Sequence, residues 1–320
     1  MARWVAHRLG VGLMVVWLVA TGTFALVSLA PGDFSSRLSD PRLPPAARER
    51  WRRDFGLDRP LGVRYASWLG SAGRGDLGVS WQYRRPVSRL IVEALPPTLL
   101  LAGLGLLLET AGGLGIATVQ VLRARSRLDR GLTLVSLLAY ALPSFTVALG
   151  LVWLFSYRLG WLPPSHLLSP AGEQAAGWAR RGDILAHLVL PVLTIGLTGM
   201  GALARYMRGS LVDEHTQGYV LAARARGCSR RRALLTHALP NAVLPLVTVL
   251  GLSLPFLVSG SLLVEVVFAW PGMGQLLYQA ALARDIPLLM GGTLLSAAAV
   301  VAGNALADLS VAWLDPRVRT

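Results

Sequence analysis

Six stretches of this 320-residue chain are long and apolar enough to cross a membrane, and they restrict the fold more than any other feature. A hydrocarbon core about 30 Å thick takes roughly 20 helical residues. Backbone polar groups inside it must be satisfied within the segment, which selects helices. The stretches run approximately Leu9–Ala30, Leu95–Leu122, Leu132–Tyr157, Ile184–Ala204, Leu239–Val264 and Leu288–Leu314. The expected fold is therefore an all-α integral membrane protein with six transmembrane helices. Residues 1–30 read as an N-terminal anchor, residues 31–94 as an external segment, and residues 95–320 as a core of five helices interrupted by a polar insert at 205–238. Composition agrees, with 53% hydrophobic and only 15% charged residues.

The insert carries the main functional clue. Its stretch from Tyr219 through Leu221, Ala222, Ala223, Arg224, Ala225 and Arg226 reads as a short helix that stops at Gly227. Ser229 can cap a second helix, and Leu239 and Pro240 lead back into an apolar run. Glycine just past a helix end and serine at a helix start are the usual punctuation for a sharp corner. An ordered helix–turn–helix on the water side of a membrane protein offers a handle to a soluble partner.

Arginine placement orients the spans. Arg3 and Arg8 precede the first, Arg123, Arg125, Arg127 and Arg130 fill the connection after the second, and Arg205, Arg208, Arg224, Arg226 and Arg230–Arg232 occupy the insert. Arg317 and Arg319 follow the last span, whereas the opposite side holds Arg158, Arg180, Arg181 and Arg284. The positive-inside rule then places both termini and the insert in the cytoplasm. Ser28-Leu-Ala30 resembles a signal cleavage site, but the apolar run before it is long and Pro31 would follow the cut, so the segment reads as a retained anchor. The external segment holds Trp51, Phe55, Tyr65, Trp68, Trp81 and Tyr83 among charges and glycines. It fits an interfacial aromatic cap, or a docking surface for something arriving from outside.

All 31 basic residues are arginine, so the chain lacks the lysine that a Walker A phosphate loop requires and holds no such ATP site. The arginines sit between apolar runs and form no single stripe, which argues against nucleic acid despite a net charge of +14. One cysteine, Cys228, excludes an internal disulfide and a multi-cysteine metal site. No His-Glu-x-x-His is present, and Gly251-Leu-Ser253, followed by Leu254, lacks the second glycine of a nucleophile elbow. No catalytic residue, cofactor site or metal site is expected on this chain, and no internal repeat is visible. Two acids fall inside spans: Glu109 in the middle of the second, and Asp308 near the end of the sixth with Asn304 one turn earlier. Carboxylates in hydrocarbon must face protein or water. They serve either as interhelical hydrogen-bonding groups or as a proton or cation relay; the absence of a matching base favours the first. Glu265 opens a stretch to Gly274 whose Pro271-Gly272 pair breaks the helix, giving a re-entrant segment or a structured turn.

These residues resemble the permease subunits of ATP-binding-cassette importers, in the dipeptide, oligopeptide and nickel group. The signature of such permeases is Glu-Ala-Ala, three residues, Gly, nine residues, Ile, one residue, Leu-Pro. Leu221-Ala222-Ala223, Gly227 and Leu239-Pro240 fall at that spacing, with Leu221 in place of the glutamate and His237 in place of the isoleucine. Phe55–Leu61, Arg74–Gly78, Arg85–Val87, Leu159–Pro164, His237–Ala242, Val267–Gly272 and Leu314–Arg317 look like the same branch and follow its order. The resemblance implies half of a translocation pathway in a bacterial inner membrane, completed by a second, similar permease. It also implies one or two cytoplasmic ATPase subunits carrying ATP and Mg, and an extracytoplasmic substrate-binding protein. The insert would be a coupling loop seated in a groove of the ATPase, where Ala222, Ala223 and Gly227 allow close approach. Arg224 and Arg226 would meet acidic groups there or lie solvated near headgroups. Peptides, nickel chelates, glutathione and some sugars use similar permeases, so the cargo stays open. The alternative is an autonomous, gradient-driven transporter or channel working through Glu109 or Asp308.

Overall fold

The computed structural model describes residues 2–29, 59–246, 249, 250, 253, 256 and 261–314, and these are almost entirely helical. The elements are α1 (Ala2–Leu29), α2 (Leu61–Ala72), α3 (Val87–Leu122), α4 (Arg127–Ala141) and α5 (Ser144–Leu151), the last running into a π-helical turn π1 (Val152–Arg158). Next come α6 (Pro170–Gln174), α7 (Gly177–His215), α8 (Gly218–Ala225) and a continuous helical run made of α9 (Arg230–Arg232), π2 (Ala233–Ala238) and α10 (Leu239–Ala242). The chain closes with α11 (Leu262–Val267), α12 (Met273–Ala283) and α13 (Ile286–Leu314). Among the described residues, 4 helices are long and apolar enough to span a membrane, or up to 5 if a bent pair counts as one.

The bent pair is the third apolar stretch. The sequence suggests one helix over Leu132–Tyr157, but α4 and the α5–π1 helix meet at 106°. Leu142 is extended at φ −81°, ψ 133°, as the residue before a proline tends to be, and Pro143 starts the next helix. Two further spans differ in extent from the sequence reading. The second begins at Val87, straight after Pro86, and not at Leu95. The fourth extends from Gly177 to His215, well beyond Ile184–Ala204. At about 1.5 Å per residue, its 39 residues reach roughly 58 Å, longer than a bilayer core requires. The fifth stretch, Leu239–Val264, falls partly outside the described residues, as does the external segment before residue 59.

The chain divides into two compact units, Met1–Pro96 with Gln275–Ala302, and Pro97–Gly274 with Gly303–Thr320. In the first, Thr21 on α1 shares a 2.6 Å hydrogen bond with the hydroxyl of Tyr65 on α2, whose ring packs on Phe24. Asp285 is buried and caps α13, accepting from the Leu288 amide at 3.2 Å. The same carboxylate accepts from the Ser80 hydroxyl and the Gln82 amide, so one acid fixes both the start of α13 and the loop ahead of α3.

In the second unit, glycines allow helices to approach closely. A methyl group at Gly105 or Gly113 on α3 would collide with Ile195 or Leu203 on α7, and one at Gly196 would collide with Leu108. Small residues at helix crossings let backbones gain dispersion contact where lipid offers no hydrophobic drive. Gly201 on α7 lies against the backbone carbonyl of Ser136 on α4. Two apolar clusters result. One joins Leu101, Ala148, Leu190, Ile195, Val264, Phe268 and Trp270. The other joins Ala117 and Val121 of α3 and Leu203, Met207 and Leu211 of α7 to Val220, Leu234 and Ala242 of the insert and its continuation.

Because the Gly201 contact is with backbone, no side chain can give way. Gly201→Leu is expected to cost on the order of 1–3 kcal/mol, the usual range for overpacking. Thermal unfolding in detergent should show a lower melting temperature; an unchanged one would mean that α4 and α7 are not tightly packed.

Candidate coupling surface and buried carboxylates

The corner between α8 and α9 forms as its sequence dictates. Gly227 takes φ +90°, in the left-handed region that glycine enters without a Cβ penalty. Its amide donates to the Arg224 carbonyl and the Cys228 amide to the Ala223 carbonyl, at 3.0 and 3.1 Å. This pair of bonds is a Schellman closure of the helix end. Two residues on, the Ser229 hydroxyl accepts from the Arg232 amide and starts the next helix. That helix reaches Pro240, which has no amide to donate, and the turn before it widens to π-helix over Ala233–Ala238.

Several contacts fasten the corner to the spans. Arg230 donates to the carbonyl of Val121, in the last turn of α3, at 2.9 Å. Ser210 of α7 donates to the Ala242 carbonyl of α10 at 2.9 Å. The Tyr219 hydroxyl donates to Glu214 and accepts from Asn241 at 2.7 Å, tying α8 to the end of α7 and to α10. Burial, and then the hydrogen bond to Glu214, raise the Tyr219 hydroxyl above the ordinary tyrosine value. Beside the corner, Asp129 is buried and pairs with Arg208 at 3.1 Å, while the Arg125 amide donates to the same carboxylate. The Arg208 guanidinium also reaches Thr133, to which Gln120 of α3 donates at 2.9 Å. A charge pair shielded in this way brings α3, α4 and α7 to one point.

The residues singled out from the sequence separate into two faces. Tyr219, Leu221, Ala222, Arg224, Ala225, Arg226, Gly227 and Pro240 are exposed. Ala223 is buried with Val220 against the chain's own core, and Leu239 is half-buried. Ala223 is therefore small because of packing inside the chain, and the requirement at Gly227 is conformational, since nothing lies within 4 Å of the position a Cβ would take. Leu221 of α8 is an exposed apolar side chain, at 51% accessibility, and Arg224 and Arg226 of the same corner are exposed as well.

Glu109 lies half-buried on α3 against Gly199 of α7, where an added methyl group would displace the carboxylate. It lines a cavity of about 300 Å³ together with Tyr140, Ser144, Thr198, Phe256 and Ser261. Asn304 is exposed on α13; the side chain of Asp308 lies outside the described residues, so the suggested Asn304–Asp308 pair has no geometry here. Glu265, read from the sequence only as the start of an external stretch, is 1% accessible. Thr98 donates to its carboxylate at 2.8 Å and accepts from the Met273 amide at 2.7 Å. Gly272 and Gly274 both crowd that carboxylate, leaving no room for side chains, and the Trp270 indole donates to the Pro97 carbonyl at 2.9 Å. The Trp-Pro-Gly turn is thereby tied to the segment Pro97-Thr98 of α3. The signal available in sequence was the pair of glycines flanking Met273, which mark a close backbone approach.

The described residues thus form apolar helices with a capped polar corner, and comparison with known proteins gives the family. Residues 110–320 match the binding-protein-dependent transport system inner membrane component, and residues 1–102 match the N-terminal component of such systems. The chain belongs to this family of multi-pass inner-membrane permeases of ABC importers, in its peptide branch. It is 35% identical to the oligopeptide transport system permease protein AppB of Bacillus subtilis, over 99% of both chains. It is likewise 35% identical to the oligopeptide transport system permease protein OppB of Mycobacterium bovis, over 100% of this chain and 99% of the other. A chain of Brucella suis biovar 1 that carries a peptide permease name is 38% identical, with 100% and 99% covered.

Two outcomes test the geometry. Thr98→Val takes one donor from the buried Glu265 carboxylate and leaves the Met273 amide without its acceptor, at a cost of about 1–3 kcal/mol, so the melting temperature in detergent should fall. Tyr219→Phe should remove a pH dependence. An unfolded tyrosine ionises near pH 10, and Tyr219 ionises higher in the fold. Its contribution is thus fully present below about pH 10 and is lost as pH rises through the folded value. Alkaline unfolding monitored on both proteins should show the wild type losing this increment while Tyr219→Phe does not.

Proposed function

We propose that this chain forms half of the translocation pathway of a peptide importer and receives the ATPase stroke at the α8–α9 corner. The observation carrying this reading is the corner itself: a rigid surface of Leu221, Ala222, Ala225 and two arginines, hydrogen-bonded to the ends of α3 and α7. A short helix of that kind suits a groove on a soluble partner. Movement of the partner would pass through Arg230 to α3 and through Tyr219 and Ser210 to α7. Both termini and the insert face the cytoplasm in this reading, in keeping with the arginine distribution. ATP and Mg belong to one or two ATPase subunits, and a second permease and an external binding protein complete the assembly. The cargo is a peptide or a related small solute, a reading supported by the names of the full-length relatives.

Co-expression with neighbouring transporter genes and purification in mild detergent through a tag on this chain should recover a second permease and an ATPase. Loaded binding protein should stimulate ATP hydrolysis in that assembly. Gly227→Trp is expected to leave membrane insertion intact while reducing ATPase recovery and peptide uptake at least about tenfold, since a bulky residue cannot hold φ +90° without strain. Normal recovery and uptake in that variant would remove the corner from the coupling role. A chain that transports alone in vesicles, and stops when an uncoupler is added, would favour the gradient-driven alternative.

A further inference from the structure

The cavity beside Glu109 has a composition that suits one kind of ligand. The Glu109 carboxylate makes no hydrogen bond or ion pair with any described residue, although it sits within an apolar span. An intramembrane carboxylate is costly unless something compensates it. The hydroxyls of Tyr140, Ser144 and Ser261 line the same space and are likewise uncommitted among the described residues. Only Thr198 is already engaged, donating back to the carbonyls of Thr194 and Ile195. Ile195, Phe256 and Val264 supply the apolar remainder.

A metal ion fits poorly, because no group of three or more His, Cys, Asp or Glu side chains occurs among the described residues. A primary ammonium fits well. It carries three donors and no acceptor, and so calls for one counter-charge with two or three neutral oxygens. The rings of Tyr140 and Phe256 add faces that attract a cation. At about 300 Å³ the cavity stands at the small end of ligand pockets, and holds one end of a peptide rather than the whole of it. Nearby, the Arg205 guanidinium already stacks on the Tyr140 ring, 4.5 Å from its centre.

We propose that this cavity receives the protonated amino end of the transported peptide, with Glu109 as its counter-charge; the proposal rests on the permease reading above. The oxygens of Tyr140, Ser144 and Ser261 complete the ammonium's hydrogen bonds, and Gly199 keeps the carboxylate side of the cavity open. The site is a way-station: one charge-assisted contact holds the peptide end while leaving it free to move on.

The test uses the assembled transporter in proteoliposomes, with its binding protein, ATP and tri-alanine as the probe. Glu109→Gln keeps the shape and removes the charge, and is expected to lower tri-alanine uptake about tenfold, the scale of one lost charge-assisted hydrogen bond. Glu109→Asp should retain most of the uptake, and stimulation of ATP hydrolysis by loaded binding protein should persist in both variants. Equal uptake by wild type and Glu109→Gln would overturn the proposal. So would a parallel loss of ATPase stimulation, which would make Glu109 structural, or wild-type uptake abolished by an uncoupler, which would make it a proton relay. Failure of the wild-type assembly to import tri-alanine with ATP would count against the permease reading itself and take this site with it.

Discussion

The close approach of α3 and α7 is the constraint on which the larger unit depends. Lipid tails give apolar side chains no reason to leave them, so helices in a membrane associate through packing and through the few polar bonds they share. Gly105 and Gly113 on one helix and Gly196 and Gly199 on the other bring these backbones together, and the consequences run in both directions along the pair. At mid-span the contact sets Glu109 against Gly199 and opens the cavity beside it. Toward the arginine-rich end it brings Gln120 and Arg208 close enough to share Thr133. Beyond that point the two helices jointly hold the apolar cluster on which α8 rests.

The polar bonds are concentrated where the helices end. Asp129 with Arg208, Arg230 with the Val121 carbonyl, and Tyr219 with Glu214 and Asn241 all lie around the insert. Such groups satisfy helix termini that would otherwise leave carbonyls without partners. They also make the insert an extension of the spans and not a loop that moves independently of them. Val220 belongs to the core shared with α3 and α7, so α8 is anchored to both helices. The corner itself is closed by a Schellman turn and a serine cap.

Much of this was legible in the sequence, and what was not had physical causes. The apolar runs gave the helical membrane class because their length and composition admit few other folds. The corner was readable because Gly227 and Ser229 act locally, through φ and through a side-chain cap, and local signals survive into the fold. The burial of Val220 and Ala223 was not readable: which side of a short helix faces the chain's own core depends on residues far away, as Val220 shares its cluster with Leu203, Met207 and Leu234. The break at Pro143 was overlooked because apolar character continues straight through it, although a proline is the residue that would end a helix there. Glu265 and Asp285 were hidden for a related reason. Each acid sits at the edge of an apolar stretch, where a charge is ordinarily taken for the water boundary, yet each is buried by bonds to residues about 167 and 205 positions away.

Those two acids share a design with a mechanical meaning. Each binds a hydroxyl from a distant part of the chain and at the same time fixes a helix start or a tight turn: Asp285 with Ser80 at the head of α13, Glu265 with Thr98 at the Trp-Pro-Gly turn. A buried carboxylate with fixed donors tolerates little displacement, because losing a partner leaves a charged or polar group stranded. Glu109 differs from both. It has room before it and no committed donor among the described residues. Of these three acids, then, the two fully buried ones hold segments in place, and the half-buried Glu109 has open space beside it. That contrast, more than the presence of a charge in a span, distinguishes a structural carboxylate from one available to a ligand.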